Sequence, residues 1–159
     1  RSKNWQNKAG SRSGCSPTHA CMIKVSHVPT EHINTCWKDV AGYLQGATDR
    51  TNGRYDIEDL YLSICKYDHL LWIAFDDKKI KGAVVTNVIV YPKKKFLCMG
   101  FWGGEDFFDW KDAMLNILKS WAKDNKCDGI EAVGRKGWSK VFKQDGHAFL
   151  WDTFELPLD

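Results

Sequence analysis

Residues 96–121 read FLCMGFWGGEDFFDWKDAMLNILKSW, and this stretch decides the fold. Phe96–Trp102 predicts a buried strand, residues 103–106 predict a turn, and a long amphipathic helix follows. The helix carries large apolar side chains at spacings of four, three and four residues, which places them on one face: Trp110, Met114, Ile117 and Trp121. A strand, a turn and a helix in this order are typical of an α/β layer.

The turn Gly103-Gly104-Glu105-Asp106 admits two interpretations. A helix N-terminus offers unpaired N–H groups, and glycine lets a ligand approach the backbone, so the turn suits an anion or cofactor site. The same residues also suit a plain connection between a strand and a helix. The two glycines alone leave both interpretations open.

Length and charge limit the class of protein. With 159 residues, eight Trp and eight Phe, the chain is large enough for one domain with a bulky core. The formal charge of +3 comes from residues 1–21, which hold four bases and no acid. Residues 22–159 are nearly neutral, so nucleic-acid binding is not expected, and no apolar run is long enough to span a bilayer.

The six cysteines show no CxxC pair and no regular spacing. Cys36, Cys65 and Cys98 fall within apolar helix or strand patterns, where a free thiol behaves as a small hydrophobe. This pattern indicates a reducing, cytoplasmic setting rather than a disulfide scaffold. We also expect no bound metal, because the neighbouring His19 and Cys21 are followed by no second pair of ligands.

Residues 1–21 are basic and hold one large apolar side chain, Trp5. Such a segment is expected to be disordered, because it cannot bury enough surface to offset the entropy of ordering it. Met22 opens a strand pattern, Met22–Val25, so one hypothesis makes Met22 the natural start and residues 1–21 not native. The alternative is a basic arm that contacts phosphate.

Two helices and a meander of three antiparallel strands are predicted before the glycine turn. Thr30 is expected to be the N-cap of the first helix, and Gly46 is expected to end it. Asp56 is expected to cap a second helix, Ile57–Cys65. The three strands are predicted over Leu70–Phe75, Ile80–Tyr91 and Phe96–Trp102.

The chain after the long helix completes the predicted fold with a strand, a short helix and a strand. These elements are predicted over Ile130–Gly134, Gly137–Lys143 and His147–Leu158. The first of them follows Phe96–Trp102 through a crossover helix, so the two strands are expected to run parallel. Residues 22–159 therefore predict a single mixed α/β domain, with an antiparallel meander, a central parallel strand pair and helices on both faces.

Several segments make this chain resemble a known family. They are the hairpin of Leu71–Phe75 and Ile80–Val84, then Trp102–Glu105, Trp121–Lys123, Cys127–Glu131 and Gly134–Trp138. With the order of elements, they resemble the GNAT (Gcn5-related N-acetyltransferase) fold over Met22–Leu158. More narrowly, they resemble small GNAT-like proteins of tailed bacteriophages, some of which are virion components.

The resemblance implies an acyl-CoA site where the two parallel strands splay apart. In GNAT enzymes the pyrophosphate lies on a Gln/Arg-x-x-Gly-x-Gly/Ala loop, which falls here on Met99–Asp106. The implied cofactor-binding residues are Phe101, Trp102, Gly103, Gly104, Arg135 and Lys136. The chain departs from the loop pattern, because the leading Gln or Arg is absent. Glu105 and Asp106 also place two negative charges where a pyrophosphate would approach.

The resemblance also implies where protons would be exchanged. Glu131 or Glu105 would take a proton from an incoming amine, directly or through water. The family's Tyr, which protonates the leaving thiolate, falls here on Phe142, and phenylalanine has no proton to give. None of His27, His32, His69 and His147 stands at motif spacing from a Ser or Cys.

Two functions therefore stay open. The first is an N-acyltransferase that moves an acyl group from acetyl-CoA or another acyl-CoA to an amine on a small molecule or a protein. The second is a catalytically inactive GNAT-fold protein that binds phage structural proteins through exposed aromatic side chains, namely Trp102, Phe107, Phe108 and Trp151. The first implies the host cytoplasm and the second the virion; either would be a monomer or a homodimer, away from membranes.

Overall fold

The computed structural model describes residues 23–158, which form one sheet of five strands. The strands are β1 (Lys24–Val28), β2 (Leu70–Phe75), β3 (Ile80–Val90), β4 (Lys95–Gly104) and β5 (Gly129–Ala132). They lie side by side in chain order; β1 to β4 pair antiparallel, and β5 pairs parallel to β4. This confirms the predicted mixed α/β fold with its meander and parallel pair. The pair lies at the edge of the described sheet because β5 is the last strand in the order.

Helices cover both faces of the sheet, as predicted. They are α1 (Ile33–Asp49), α2 (Ile57–Cys65), α3 (Phe107–Asp124) and α4 (Ser139–Gln144). The first two pack on one face, here called the α1 face, and α3 packs on the other, the α3 face. Successive residues of a strand alternate between the two cores, as Leu71 on the α1 face and Trp72 on the α3 face do.

The first two helices begin differently. Thr30 opens a 3-10 turn, Thr30–His32, and α1 begins after it with no side-chain cap on His32, so the prediction of Thr30 as N-cap is wrong. The prediction for α2 is confirmed in full. The Asp56 carboxylate accepts a hydrogen bond from the backbone N–H of Asp59, and the Asp59 carboxylate accepts one from the backbone N–H of Asp56. This reciprocal pair is a capping box.

The end of α1 lies beyond the glycine that was expected to mark it. The helix continues through Gly46 to Asp49, so that prediction is wrong. Thr48 is 1% exposed in the core, and its hydroxyl donates to the Gln45 carbonyl at 2.9 Å. Burial of this last turn outweighs the modest loss of helix stability that a single glycine causes.

Strand β4 is longer than its sequence pattern indicates. Gly103 pairs with Ala83 and Gly104 with Gly82, so the two glycines belong to the strand and not to the turn. The turn therefore contains only Glu105 and Asp106 before α3 begins.

The inward face of α3 differs from prediction at one position. Trp110 and Met114 are buried as expected, whereas Ile117 is 39% exposed. Leu118 takes the inward position and is fully buried. The expectation for Ile117 is wrong, because the packed side of this helix runs from Trp110 to Met114 and then four residues on to Leu118, not three to Ile117.

The last predicted strand, His147–Leu158, is wrong, because residues 147–158 adopt no regular structure. An alternating pattern needs a neighbouring strand to form a ladder. The segment is instead linked to the α1–α2 connection through Glu155. Its carboxylate accepts hydrogen bonds from Asn52 at 2.7 Å and from Arg54 at 2.9 Å.

The predictions for the N-terminal segment fall outside the described residues. These are the disorder of residues 1–21, their origin, and the strand start at Met22. Across residues 23–158, no helix combines the length and apolar character that crossing a membrane requires.

Candidate functional site at the end of strand β4

Strands β4 and β5 part halfway along β4. Their pairing runs from Phe96 with Gly129 to Met99 with Ala132, and the Val133 N–H donates to the Met99 carbonyl at 3.1 Å. Beyond that link the ladder of β4 continues on the β3 side alone, over residues 101–104. The two strands therefore leave a cleft along the second half of β4.

A β-bulge lies at the same place. Thr86 of β3 pairs with Met99 and the preceding Val85 pairs with Phe101, which leaves Gly100 as the extra residue. A Cβ added at Gly100 would meet no atom within 4 Å apart from its chain neighbours. The bulge also reverses the alternation, because Met99 and Trp102 pack on the α3 face while Phe101 packs on the α1 face.

Both glycines after the bulge are required by packing. A Cβ at Gly103 would lie 1.9 Å from the carbonyl oxygen of Tyr43 in α1. A Cβ at Gly104, which has φ of +155°, would lie 2.4 Å from the carbonyl oxygen of Lys81. Close approach of α1 and β3 thus accounts for these glycines without a ligand, and their predicted role in cofactor binding stays a prediction.

The two acids before α3 are paired with lysines from the β2–β3 hairpin. Glu105 forms an ion pair with Lys79, and Asp106 accepts a hydrogen bond from Lys81 at 2.9 Å. The hydrogen bond from Lys79 lowers the pKa of Glu105, which makes this carboxylate a weaker base. The lysines also offset the two negative charges that the sequence places beside α3.

The predicted bases Glu131 and Glu105 do not share a site. Glu131 pairs with Cys98 in the parallel ladder, and Gly104, next to Glu105, lies six residues further along β4, or about 20 Å. The Tyr91 hydroxyl donates to the Glu131 carboxylate at 3.1 Å. Burial, and then the charge of Glu131, raise the pKa of the Cys98 thiol to about 11.

Four aromatic side chains form a cluster on the α3 face of the cleft: Trp102, Phe107, Trp138 and Phe142. The ring of Trp102 lies 5.6 Å from that of Phe142, and Phe107 lies 5.1 Å from Trp138. Trp102 and Phe107 pack into the core, so the expectation that they form an exposed contact surface is wrong, whereas Phe108 and Trp151 are exposed.

The predicted phosphate contacts Arg135 and Lys136 are exposed on the segment that leads from β5 to the aromatic cluster. Trp138, two residues further, packs against Phe107 at the start of α3. This contact brings the two cations toward the end of α3 from which N–H groups point outward. Their role as ligands stays a prediction.

A second group of residues at the cleft was missed from the sequence. His69 lies near Tyr55 and Phe101 on the α1 face, with ring centroids 6.4 and 6.2 Å away. Its Nδ1 atom is buried with no hydrogen-bond partner in the described part of the chain, and burial lowers its pKa. No motif marks this histidine; the one signal is its position between a turn and an apolar strand.

No family model and no curated protein sequence matches the chain. Solved structures do match. A ribosomal-protein-alanine N-acetyltransferase from Brucella melitensis is 11% identical with a TM-score of 0.63, covering 86% of this chain and 99% of that one. A predicted acetyltransferase from Clostridium acetobutylicum, solved with acetyl-CoA, is 15% identical with a TM-score of 0.59, covering 86% and 96%. At such identities the likeness shows the fold, which is the GNAT-like fold that the sequence resembles.

Proposed function

We propose that this chain is a GNAT-type N-acyltransferase, which transfers an acyl group from acyl-CoA to an amine. The observation that carries the proposal is the coincidence of the Gly100 bulge with the point where β4 and β5 part. Backbone N–H groups at such an opening are available to polarise the carbonyl oxygen of a bound thioester, as an oxyanion hole does. The fold shared with solved acetyltransferases supports the proposal.

The phosphates of acyl-CoA are proposed to lie at the start of α3. Lys79 and Lys81 offset the charges of Glu105 and Asp106 there, which removes the main electrostatic objection to a bound diphosphate. The Asp106 side chain makes no cap hydrogen bond to the helix. Arg135 and Lys136 are proposed to contact phosphate oxygens, together with backbone groups of Phe101–Gly104.

Of the two predicted bases, Glu131 fits the reaction better. It pairs with Cys98, two residues or about 7 Å from Gly100, and it lies on the α1 face. We propose that the amine enters from this face and gives its proton to Glu131, directly or through water. Glu105 is already in an ion pair with Lys79, which makes it the weaker candidate for the base.

The proposed reaction forms one bond and breaks one bond. The amine nitrogen bonds to the thioester carbonyl carbon, and the carbon–sulfur bond then breaks to release the thiolate of CoA. Because Phe142 supplies no proton, the thiolate would take its proton from water. The acceptor is a small molecule or a protein.

Calorimetric titration of the full chain with acetyl-CoA tests the proposal. A Cβ added at Gly100 or at the exposed Gly42 of α1 would meet no atom within 4 Å, so Gly100→Leu and Gly42→Leu are a matched pair. We expect Gly100→Leu to weaken acetyl-CoA binding at least about tenfold, because the bulge lies where the cleft opens, and Gly42→Leu to leave it unchanged. No detectable binding at about 1 mM acetyl-CoA would retire the acyltransferase proposal.

The alternative function is a GNAT-fold protein without catalysis that binds a protein partner, such as a phage structural protein. The C-terminal segment favours it, because Trp151 is 64% and Phe154 is 89% exposed. Absence of acetyl-CoA binding, together with a complex recovered with a virion protein, would support this alternative over the enzyme.

A further inference from the structure

We propose that His69, Tyr55 and Phe101 form the site for the acceptor amine, and that this site takes a primary ammonium group on an unbranched aliphatic stem, as in lysine. The inference rests on the proposed acyltransferase function and names the class of its acceptor. The three residues come from three parts of the chain: the turn before β2, the α1–α2 connection and β4.

The first observation is the nitrogen of His69. Its Nδ1 atom is buried and has no hydrogen-bond partner within residues 23–158. The backbone of His69 is fixed by its N–H, which donates to the Ser63 carbonyl at 3.2 Å. A buried acceptor without a partner is unfavourable, so an ammonium group that donates an N–H to Nδ1, once the imidazole turns this nitrogen toward it, would gain that hydrogen bond and remove an existing cost.

The second observation is the aromatic surroundings of that nitrogen. The rings of Tyr55 and Phe101 lie 5.2 Å apart in an edge-to-face arrangement, and both lie near the imidazole of His69. Aromatic rings attract an ammonium group and pack against an aliphatic stem. The group of three therefore suits a cation with a methylene chain better than an anion.

The third observation is the position of this group relative to the cleft. Phe101 directly follows the Gly100 bulge, where the structure leaves open space. Cys98 and Glu131 lie on the same side of the sheet as Phe101, because their strand neighbours pack on the α3 face. An amine held by His69 would thus approach the bulge from the side on which the proposed base lies.

A surface pocket of about 400 Å³ adjoins the site and offers room for the remainder of the acceptor. Tyr55 lines both the pocket and the group around His69. The pocket also carries two cations and two carboxylates: Arg54, Lys66, Asp59 and Asp68. Balanced charges of this kind suit the zwitterionic head of an amino acid better than a phosphate or a polycation.

His147 provides an internal comparison. Its Nδ1 is likewise buried without a partner in the described chain, but its ring lies 5.3 Å from Phe142, in the aromatic cluster of the α3 face. An amine that enters from the α1 face would therefore change the environment of His69 and not that of His147.

Nuclear magnetic resonance of the full chain with ¹⁵N-labelled histidine tests the site directly. L-lysine is the probe, and L-norleucine is its match, with the same head and stem but no terminal ammonium. We expect a saturable shift of the His69 ring signals with lysine, no shift with norleucine and no shift of His147. The proposal is overturned if lysine at about 50 mM leaves His69 unchanged, or if norleucine shifts it equally.

Two variants extend the test to turnover and separate the two proposals. His69→Phe is expected to raise the KM for L-lysine at least about tenfold while leaving the affinity for acetyl-CoA unchanged. His69→Gln, whose side-chain oxygen accepts a hydrogen bond, is expected to recover part of the loss. If acetyl-CoA binds and neither variant changes the KM, the acceptor site is wrong and the acyltransferase stands. If acetyl-CoA does not bind, the acyltransferase is wrong, and the shift of His69 by lysine alone decides the amine site.

Discussion

Gly100 and Gly103 are three residues apart in one strand, yet the fold requires only one of them to be glycine. The missing Cβ of Gly103 lets the Tyr43 carbonyl approach, whereas Gly100 faces open space. From the sequence both looked like candidates for a cofactor loop. Only the position of α1, which is set by contacts distant in the chain, separates a packing glycine from a glycine beside a cleft.

Gly103→Ala is expected to lower the free energy of unfolding by about 2–3 kcal/mol, because its methyl group would overlap the Tyr43 carbonyl and displace α1 from β4. Urea denaturation measures the change. Gly100→Ala is the control and is expected to stay within about 0.5 kcal/mol of the unmodified protein. Equal losses in the two variants would contradict the packing account.

His69 is expected to make stability depend on pH. Burial lowers its pKa from the ordinary value of 6.5, so below pH 6.5 the unfolded chain binds a proton that the folded chain does not. The contribution of His69 to the free energy of unfolding should therefore be fully present above pH 6.5 and be lost as the pH drops below that value. His27, whose pKa burial also lowers, adds a contribution of the same sign.

Denaturation of His69→Phe between pH 8 and pH 5 measures this contribution. The variant should show a shallower decline than the unmodified protein, because it lacks one group that takes up a proton on unfolding. Tyr67→Phe, at a position 71% exposed, is the control and should decline as the unmodified protein does. An unchanged decline in His69→Phe would show that the imidazole is solvated.

At the scale of elements, prediction succeeded where the signal was local. The start of α2 can be located from Asp56 and the residues just after it, because a capping box needs only neighbouring residues. The hairpin of β2 and β3 is equally local, with a polar turn between two apolar strands. Both were predicted from the sequence and both are confirmed.

Prediction failed where an element depends on a distant partner. Gly103 and Gly104 look like a turn but complete a ladder with Ala83 and Gly82. His147–Leu158 looks like a strand but has no strand beside it within the described residues. The candidate site was the hardest part to predict for this reason. It depends on pairing across the sheet, which sets the bulge, the parting of the strands and the surroundings of His69.

A largely buried ion pair joins α3 to Asp145, the residue that follows α4. Lys111 donates to Asp145 at 2.7 Å, and the two side chains are 15% and 16% exposed. Asp145→Asn is expected to lower the free energy of unfolding by about 1–2 kcal/mol and to speed hydrogen exchange in α4. Asp112→Asn, which removes the 78% exposed partner of the same lysine, should cost less than about 0.5 kcal/mol. Equal costs would mean that burial adds nothing to this pair.

At the scale of the whole molecule, the described chain consists of a sheet between two helical layers and a C-terminal segment that lies outside both. The segment exposes large apolar side chains and is linked to the α1–α2 connection through Glu155. Its pattern of hydrophobic residues could be read from the sequence, but its lack of a strand partner could not.

Limited digestion with chymotrypsin is expected to cut first at the exposed residues of this segment: Phe149, Trp151 and Phe154. The remaining body should keep its thermal transition. Glu155→Ala removes the link to Asn52 and Arg54 and should speed cleavage roughly two- to five-fold, since an exposed ion pair contributes at most about 1 kcal/mol. Simultaneous cleavage within α1 or β3 would contradict this picture.

The extra residue in β4 gives the strand two halves of opposite parity. Before the bulge the odd-numbered Leu97 and Met99 face α3, and after it the even-numbered Trp102 does. Deleting Gly100 would give one parity throughout and leave Phe101 and Trp102 on their present faces, whereas a regular strand that kept Gly100 would exchange these two side chains between the two layers. The bulge therefore determines which core each of these side chains enters, and it does so at the place where the cleft opens.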